Sequence, residues 1–145
     1  MSDKIGFGLR GITTEQFAIL EDNFSPDVET KFGINISFGM DTERHSIAPF
    51  FKCSFSQNNK RFLILEVACH FVIMEENWNT YYNPEKQSVL LPANFARHLA
   101  MITVGTTRGV LHAKTEKTEF SKFIIPTINL EEIITEVVEI EKENA

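Results

Sequence analysis

The stretch RFLILEVACHFVIMEE, residues 61–76, decides how this chain is read. Its odd positions Leu63, Leu65, Val67, Cys69, Phe71 and Ile73 are all apolar, which in a strand of period two makes one face continuously hydrophobic. The even positions Phe62, Ile64, Glu66, Ala68, His70, Val72 and Met74 are mostly apolar as well. Such a strand requires cover on both faces, or a reason to leave one partly bare. Glu66 points to the second case. A carboxylate buried without a partner is costly, so the even face is expected to open to solvent near its centre. A solvated strand position or an edge-guarding charge accounts for Glu66 without any function.

Just upstream, Gln57-Asn58-Asn59-Lys60 reads as a hairpin turn centred on its two asparagines, joining a strand over Ile47–Ser56 to one over Arg61–Glu75. A regular ladder from that turn places Cys53 opposite Ile64 and Cys69 opposite Ala48, so the two cysteines are expected on opposite faces and too far apart to bridge. Residues 33–40 alternate Ile34, Ile36, Phe38 and Met40 with polar or small residues, the pattern of a half-buried strand, and Asp41–His45 is a polar turn. Residues 14–24, with Phe17, Ile19, Leu20 and Phe24 to bury, read as a first strand or edge segment. Four consecutive strands then suggest an antiparallel meander.

Beyond the strands, Asn77–Val89 is polar and turn-rich but carries the only tryptophan and both tyrosines. A helix follows with Pro92 in its first turn. Its apolar stripe is Phe95, Leu99 and Ile102, and Gly105 and Gly109 are read as its fraying end. Residues 110–123 show no clear period. A second helix is expected after Asn129, which caps it in an N-x-x-E variant of the capping box with Glu132; Leu130, Ile133, Ile134, Val137 and Val138 form its stripe. The end, EIEKENA from about 139, reads as a frayed acidic tail. The order ββββαα is an α+β arrangement: a four-stranded antiparallel sheet followed by two helices, taken as a single domain over 1–145.

Composition bounds the function. The 145 residues suffice to bury roughly 68–70% of the unfolded surface without metal or disulfide. With 14 basic and 20 acidic residues the net charge is −6, which argues against nucleic acid as a partner. Thirteen phenylalanines fit an aromatic core. MSDKIGFGLRG lacks the apolar run of a signal peptide and no segment approaches the ~18 uncharged residues of a membrane span, so a cytoplasmic location without membrane insertion is expected. There the sequons at Asn23 and Asn35 carry no glycan meaning.

No motif calls for a cofactor. GFGLRG at 6–11 satisfies G-x-G-x-x-G, but the five residues before it cannot supply the buried strand that a dinucleotide site requires. His45, His70, Cys53 and Cys69 lack the spacing of a tetrahedral metal site, and no third group orients a Cys–His pair for catalysis. His45 or His98 with Asp41 or Glu43 is the one acid–base pairing an enzyme could use, on a thioesterase-like fold that binds a small ligand. Such folds usually place the long helix within the strand order, and here both helices follow it.

Two stretches, LPANFARHLAMITVGTTRG at 91–109 and FIIPTINLEEII at 123–134, resemble the SecB protein-export chaperones. Their first helix reads like F-P-x-A-R-x-x-I-x-x-x-x-x-R-G, followed by a P-x-N-aromatic-acidic lead into the last helix. Leu91, Pro92, Ala96, Arg97, Arg108 and Gly109 match the first; Pro126, Asn129, Leu130 and Glu131 match the second. The ILEV of residues 64–67 is similar to the family's L-C-E-V. The chain departs from the family in reading CHFVI where the family is glycine-rich, in a shorter aromatic connection, and in extra residues, HAKTEKTE among them, before Pro126.

The resemblance implies a non-enzymatic chaperone that holds unfolded client polypeptides in apolar grooves and needs no cofactor or metal. Its groove would join Phe71, Trp78, Tyr81 and Tyr82 to Ile134 and Val138, flat apolar side chains that accept many sequences. It implies docking of the translocase motor SecA on an acidic outer face, with Glu66 at the family's docking glutamate and Glu21 and Glu15 near it. It also implies a homo-oligomer, a tetramer built as a dimer of dimers. Ala96, Ala100 and Thr103, flanked by Phe95 and Leu99, form a small-residue strip on which another helix could approach. A SecB-like chaperone serving a toxin–antitoxin pair is the alternative role.

Overall fold

The structure, a computed structural model, describes residues 4–142. Four long antiparallel strands, β1 (Phe7–Ile19), β2 (Lys31–Asp41), β3 (Ser46–Gln57) and β4 (Lys60–Ile73), form one sheet. Their order is β1-β4-β3-β2. Three strands follow one another through hairpins and β1 returns beside β4, so the connection is of Greek-key type rather than the expected meander. This puts the doubly apolar β4 in an interior position, where its face needs the most cover. The GFGLRG run lies largely within β1, an edge strand, not in a strand-to-helix loop.

Asn58 and Asn59 both take positive φ, 52° and 64°, making the two-residue turn that the asparagines promised. The ladder is not regular beyond it. Gln57 faces Lys60 and Ser56 faces Arg61, but a bulge then sets Phe55 against Leu63 and Cys53 against Leu65. The bulge leaves Phe62 unpaired and frees its ring to turn into a phenylalanine cluster. It also overturns the facing of the cysteines: Cys53 and Cys69 share the odd face. Both are buried and free.

Between β4 and the long helix lie a short helix α1 (Glu75–Tyr81) and two small strands, β5 (Tyr82–Asn83) and β6 (Ser88–Leu91). The long helix α2 runs Ala93–Thr115, past both glycines expected to end it. Each glycine costs about 1 kcal/mol against alanine, but Thr107 between them and Leu111 and Thr115 beyond them are buried and outweigh that. The buried hydroxyls of Thr103, Thr107 and Thr115 donate to the carbonyls of Leu99, Thr103 and Leu111 at 2.7–2.9 Å, so none is left unsatisfied. The residues HAKTEKTE extend α2 and lead into a 3-10 turn, Glu119–Lys122, that seats Phe120 in the core.

The expected last helix is a single turn, α3 (Leu130–Ile133). Asn129 does cap it, its side chain accepting from the Glu131 amide at 3.1 Å. The β-branched run that follows is poorly suited to continue a helix. Instead Val138–Glu141 forms β7, pairing antiparallel with β6 in a second sheet ordered β5-β6-β7. The expected frayed tail therefore begins as a strand, with Ile140 only 2% exposed; residues 143–145 lie outside the described residues.

Helix α2 and the segment 123–142 cover one face of the large sheet. Cover on that face divides into two clusters. One gathers Phe71, Trp78, Leu91, Phe95, Leu99, Ile134 and Ile140; the other gathers Phe51, Phe55, Phe62, Leu65, Leu111, Phe120 and Ile125.

Candidate functional site

The six residues expected to line a groove come together around the first cluster. Phe71, Trp78 and Ile134 are buried in it, and Tyr81, Tyr82 and Val138 pack against it half-buried. Trp78 stands at the middle of a three-ring stack. The His45 ring lies 4.9 Å away at 9°, and the Tyr82 ring 5.3 Å away at 22°. Phe38, Met40 and Ile128 are further half-buried apolar side chains packed against the same cluster. The backbone that frames these side chains consists of strands of two and four residues, β5, β6 and β7, and an irregular strap over 123–129.

Two arginines of the SecB-like pattern, to which the sequence alone gave no task, hold the strap and the chain just after α3. Arg97 Nη1 donates to the Ile134 carbonyl at 2.6 Å; Arg108 donates through Nε to Ile125 and through Nη2 to Pro126, both at 2.9 Å. Charge-assisted bonds to backbone carbonyls are among the stronger neutral-partner bonds. The sequence likewise gives His45 no place beside Trp78. The signal available was its place in a polar turn, where a left-handed φ of 52° turns its ring toward the tryptophan.

Phe95, Ala96, Leu99, Ala100 and Thr103, expected on an oligomer interface, are all buried beneath the chain's own sheet. The outward surface of α2 carries instead Met101, 61% exposed, with Gly105 and Gly109. Edge strand β1 bares a second apolar row, Leu9, Ile12 and Phe17, on the sheet face that α2 covers elsewhere.

Among the described residues no long helix covers the opposite sheet face, which mixes Ile64, Ala68, Val72 and Phe50 with Glu66, Lys52, Gln16 and His70. Glu66 sits half-buried at its centre with Lys52 and Gln16 as cross-strand neighbours. His70 Nε2 lies 2.9 Å from Thr13 Oγ1. Glu15 occupies a bulge of β1 next to Gln16, and Glu21 is exposed in a 3-10 turn after β1. An open cleft of about 560 Å³ lies at the β2–β3 turn, lined among others by Met40, Asp41, Arg44, Phe50, His70 and Glu141. Acids and bases alternate along it, giving no single charge to select a ligand.

Asp41, His45 and His98, weighed as acid–base partners, each meet other groups. Asp41 Oδ1 accepts from the amides of Glu43 and Arg44 and Oδ2 lies 3.9 Å from Arg44 Nε, while His45 stacks on Trp78 and His98 meets the edge of Phe7. Burial pushes the Cys53 thiol up to about 12, far from a reactive thiolate. Among the described residues no group of three His, Cys, Asp or Glu could hold a metal, and no helix is long and apolar enough to cross a membrane.

Searched against models of protein families and against curated proteins, the sequence matches none. Solved structures do match. The Mycobacterium tuberculosis Rv1957 SecB-like chaperone, in complex with a ChAD peptide from the Rv1956 HigA1 antitoxin, superposes with a TM-score of 0.53 over 85% of this chain and 88% of that one, at 12% identity. The fold is SecB-like. A Streptococcus agalactiae protein of unknown function covers 87% of this chain and 99% of its own at 11% identity, but its TM-score of 0.36 is too low to bear on the fold.

Proposed function

We propose that the protein is a non-enzymatic chaperone that holds extended, unfolded polypeptides at the Trp78–Tyr82 end of its core. One observation carries the reading: a rim of half-buried apolar side chains, Phe38, Met40, Tyr81, Tyr82, Ile128 and Val138, surrounds a core edged by short strands and a strap. Flat, adaptable apolar surface of this kind accepts many sequences weakly, and long clients gain affinity by engaging several copies. The test is binding of one labelled client in its unfolded and folded forms to the full chain. Micromolar or tighter binding of the unfolded form alone supports the reading; equal or absent binding of the unfolded form overturns it.

The binding of an antitoxin peptide by the Rv1957 chaperone favours a second client class, an antitoxin segment. Finding a toxin–antitoxin gene pair beside this gene would support that role over export, and finding none would leave export ahead. For export, SecA would dock on the open sheet face through Glu66, with Glu15 and Glu21 at its margin. For assembly, a homo-oligomer, tetrameric as in the SecB pattern, would use the exposed row Leu9, Ile12 and Phe17 and the Met101 side of α2. The sheet-facing residues of that helix are already committed.

A further inference from the structure

The segment Thr135–Lys142 carries two patterns at once. Its apolar residues continue the helical spacing of Leu130, Ile133 and Ile134, yet Val138 and Ile140 also alternate with Glu139 and Glu141 as a strand does. The structure uses the strand pattern. Val138 and Ile140 point into the cluster that holds Phe71 and Trp78, while Glu139 and Glu141 remain exposed. Four residues are its whole ladder, Leu91 against Val138 through Ser88 against Glu141, with one further bond from the Lys142 amide to the Gln87 carbonyl at 3.1 Å. Upstream, Thr135, Glu136 and Val137 are exposed.

We infer that β7 is a resident occupant of the client site, and that the β6 edge with the pocket behind it takes an extended segment with apolar residues at alternate positions. This rests on the client-holding reading above. An unfolded chain supplies the same things β7 supplies: backbone groups for the Ser88–Leu91 edge, independent of sequence, and alternate apolar side chains for the space now filled by Val138 and Ile140. A four-residue strand is a weak competitor, since so short a pairing fixes backbone in exchange for few bonds. The apparent affinity for clients is then the intrinsic affinity reduced by the fraction of chains in which β7 is displaced.

Locking β7 tests this. Leu90 and Glu139 face each other across the ladder and both are exposed, so L90C/E139C can form a disulfide without touching the core. Formation of the bond is verified by mass, and the native cysteines, both buried, do not compete. Oxidised chain should bind unfolded client about tenfold or more weaker than the same chain reduced. Equal binding by the two forms overturns the inference alone. Binding by neither form, nor by the wild type, overturns the client-holding reading and this inference with it. On the unmodified chain, saturating client should speed amide exchange at Val138–Glu141; unchanged exchange there with client bound also overturns it.

Discussion

The two ends of the hydrophobic core are built from different materials. At one end Phe24, Phe55, Phe62, Phe120 and Phe123 pack ring to ring, with centroids 4.9–6.5 Å apart, and the ammonium of Lys122 lies over Phe24 and Phe123. Gln57 pins the neighbouring loop by exchanging hydrogen bonds with Ser25 and donating to the Val28 carbonyl and Thr30 hydroxyl. At the other end Trp78, Tyr81 and Tyr82 meet a small sheet of short strands. Phenylalanine with no polar atom suits a sealed interior, whereas amphipathic Tyr and Trp suit a surface that is covered at one time and open at another. On the proposed function, one end stabilises the fold and the other exchanges what it touches.

The largest expected effect comes from damaging the sealed end. Phe62→Ala, at a fully buried ring touching Phe24, Phe55, Phe120 and Phe123, should cost about 3–5 kcal/mol in denaturant unfolding. Client affinity of whatever remains folded should stay within about threefold, below the 1.4 kcal/mol of a tenfold change. A large loss of affinity at unchanged stability would reverse the roles of the two ends.

Both ends were visible in the sequence to different depths, for physical reasons. The apolar odd face of β4, the Asn58-Asn59 turn and the α2 stripe all follow from local spacing, and they stand in the structure as read. The register beyond the turn did not, because a bulge depends on the ring of Phe62 finding partners from residues 24, 120 and 123, far away in sequence. The length of α2 was misjudged because local glycine propensity lost to burial of Leu111 and Thr115. The last helix was misjudged because its stripe fits two periods, and the β6 edge decides between them. The flat apolar side chains that gather around Trp78 are legible as a set, whereas the arginine bonds and the His45 stacking are not, since they are long-range. The α2 strip around Ala96 faces inward, against the expectation of an interface, because sequence gives the spacing of a face but not which way it turns.

Tyr82→Ala sharpens the comparison from the open end. Removing a half-buried ring stacked on Trp78 should weaken client binding about tenfold, equivalent to 1.4 kcal/mol, and cost about 0.5–1.5 kcal/mol of stability beyond the area lost. Fluorescence anisotropy and denaturant titration measure the two effects. Cys53 adds a pH-dependent check on the sealed end. The folded thiol keeps its proton to about 12, against 9.0 for an ordinary thiol. Between those values the unfolded state binds fewer protons than the folded one, so stability is unaffected below pH 9 and falls as pH rises above it. Wild type should therefore lose about 1 kcal/mol more than Cys53→Ala between pH 9 and pH 10, and at neutral pH Cys53 should react with a thiol reagent only on unfolding. Equal pH profiles for the two would place Cys53 in contact with water.

The smallest effect on stability belongs to the bare sheet face. Glu66→Lys should lower unfolding free energy by no more than about 1 kcal/mol, because it sets a second lysine across from Lys52 and disturbs no other cover. Client holding should be unaffected, and a steered contact with a basic motor surface should weaken, most at low salt. No change in motor binding at low salt would remove Glu66 from the docking surface.

The chain has a single tryptophan, and it sits at the centre of the open end. Titrating the full chain with an unfolded client that lacks tryptophan, while following Trp78 emission and client anisotropy together, tests the central claim most directly. The account predicts a shift in Trp78 emission that saturates with client binding and is absent with the folded form of the same client. Client bound by anisotropy with Trp78 emission unchanged would contradict it.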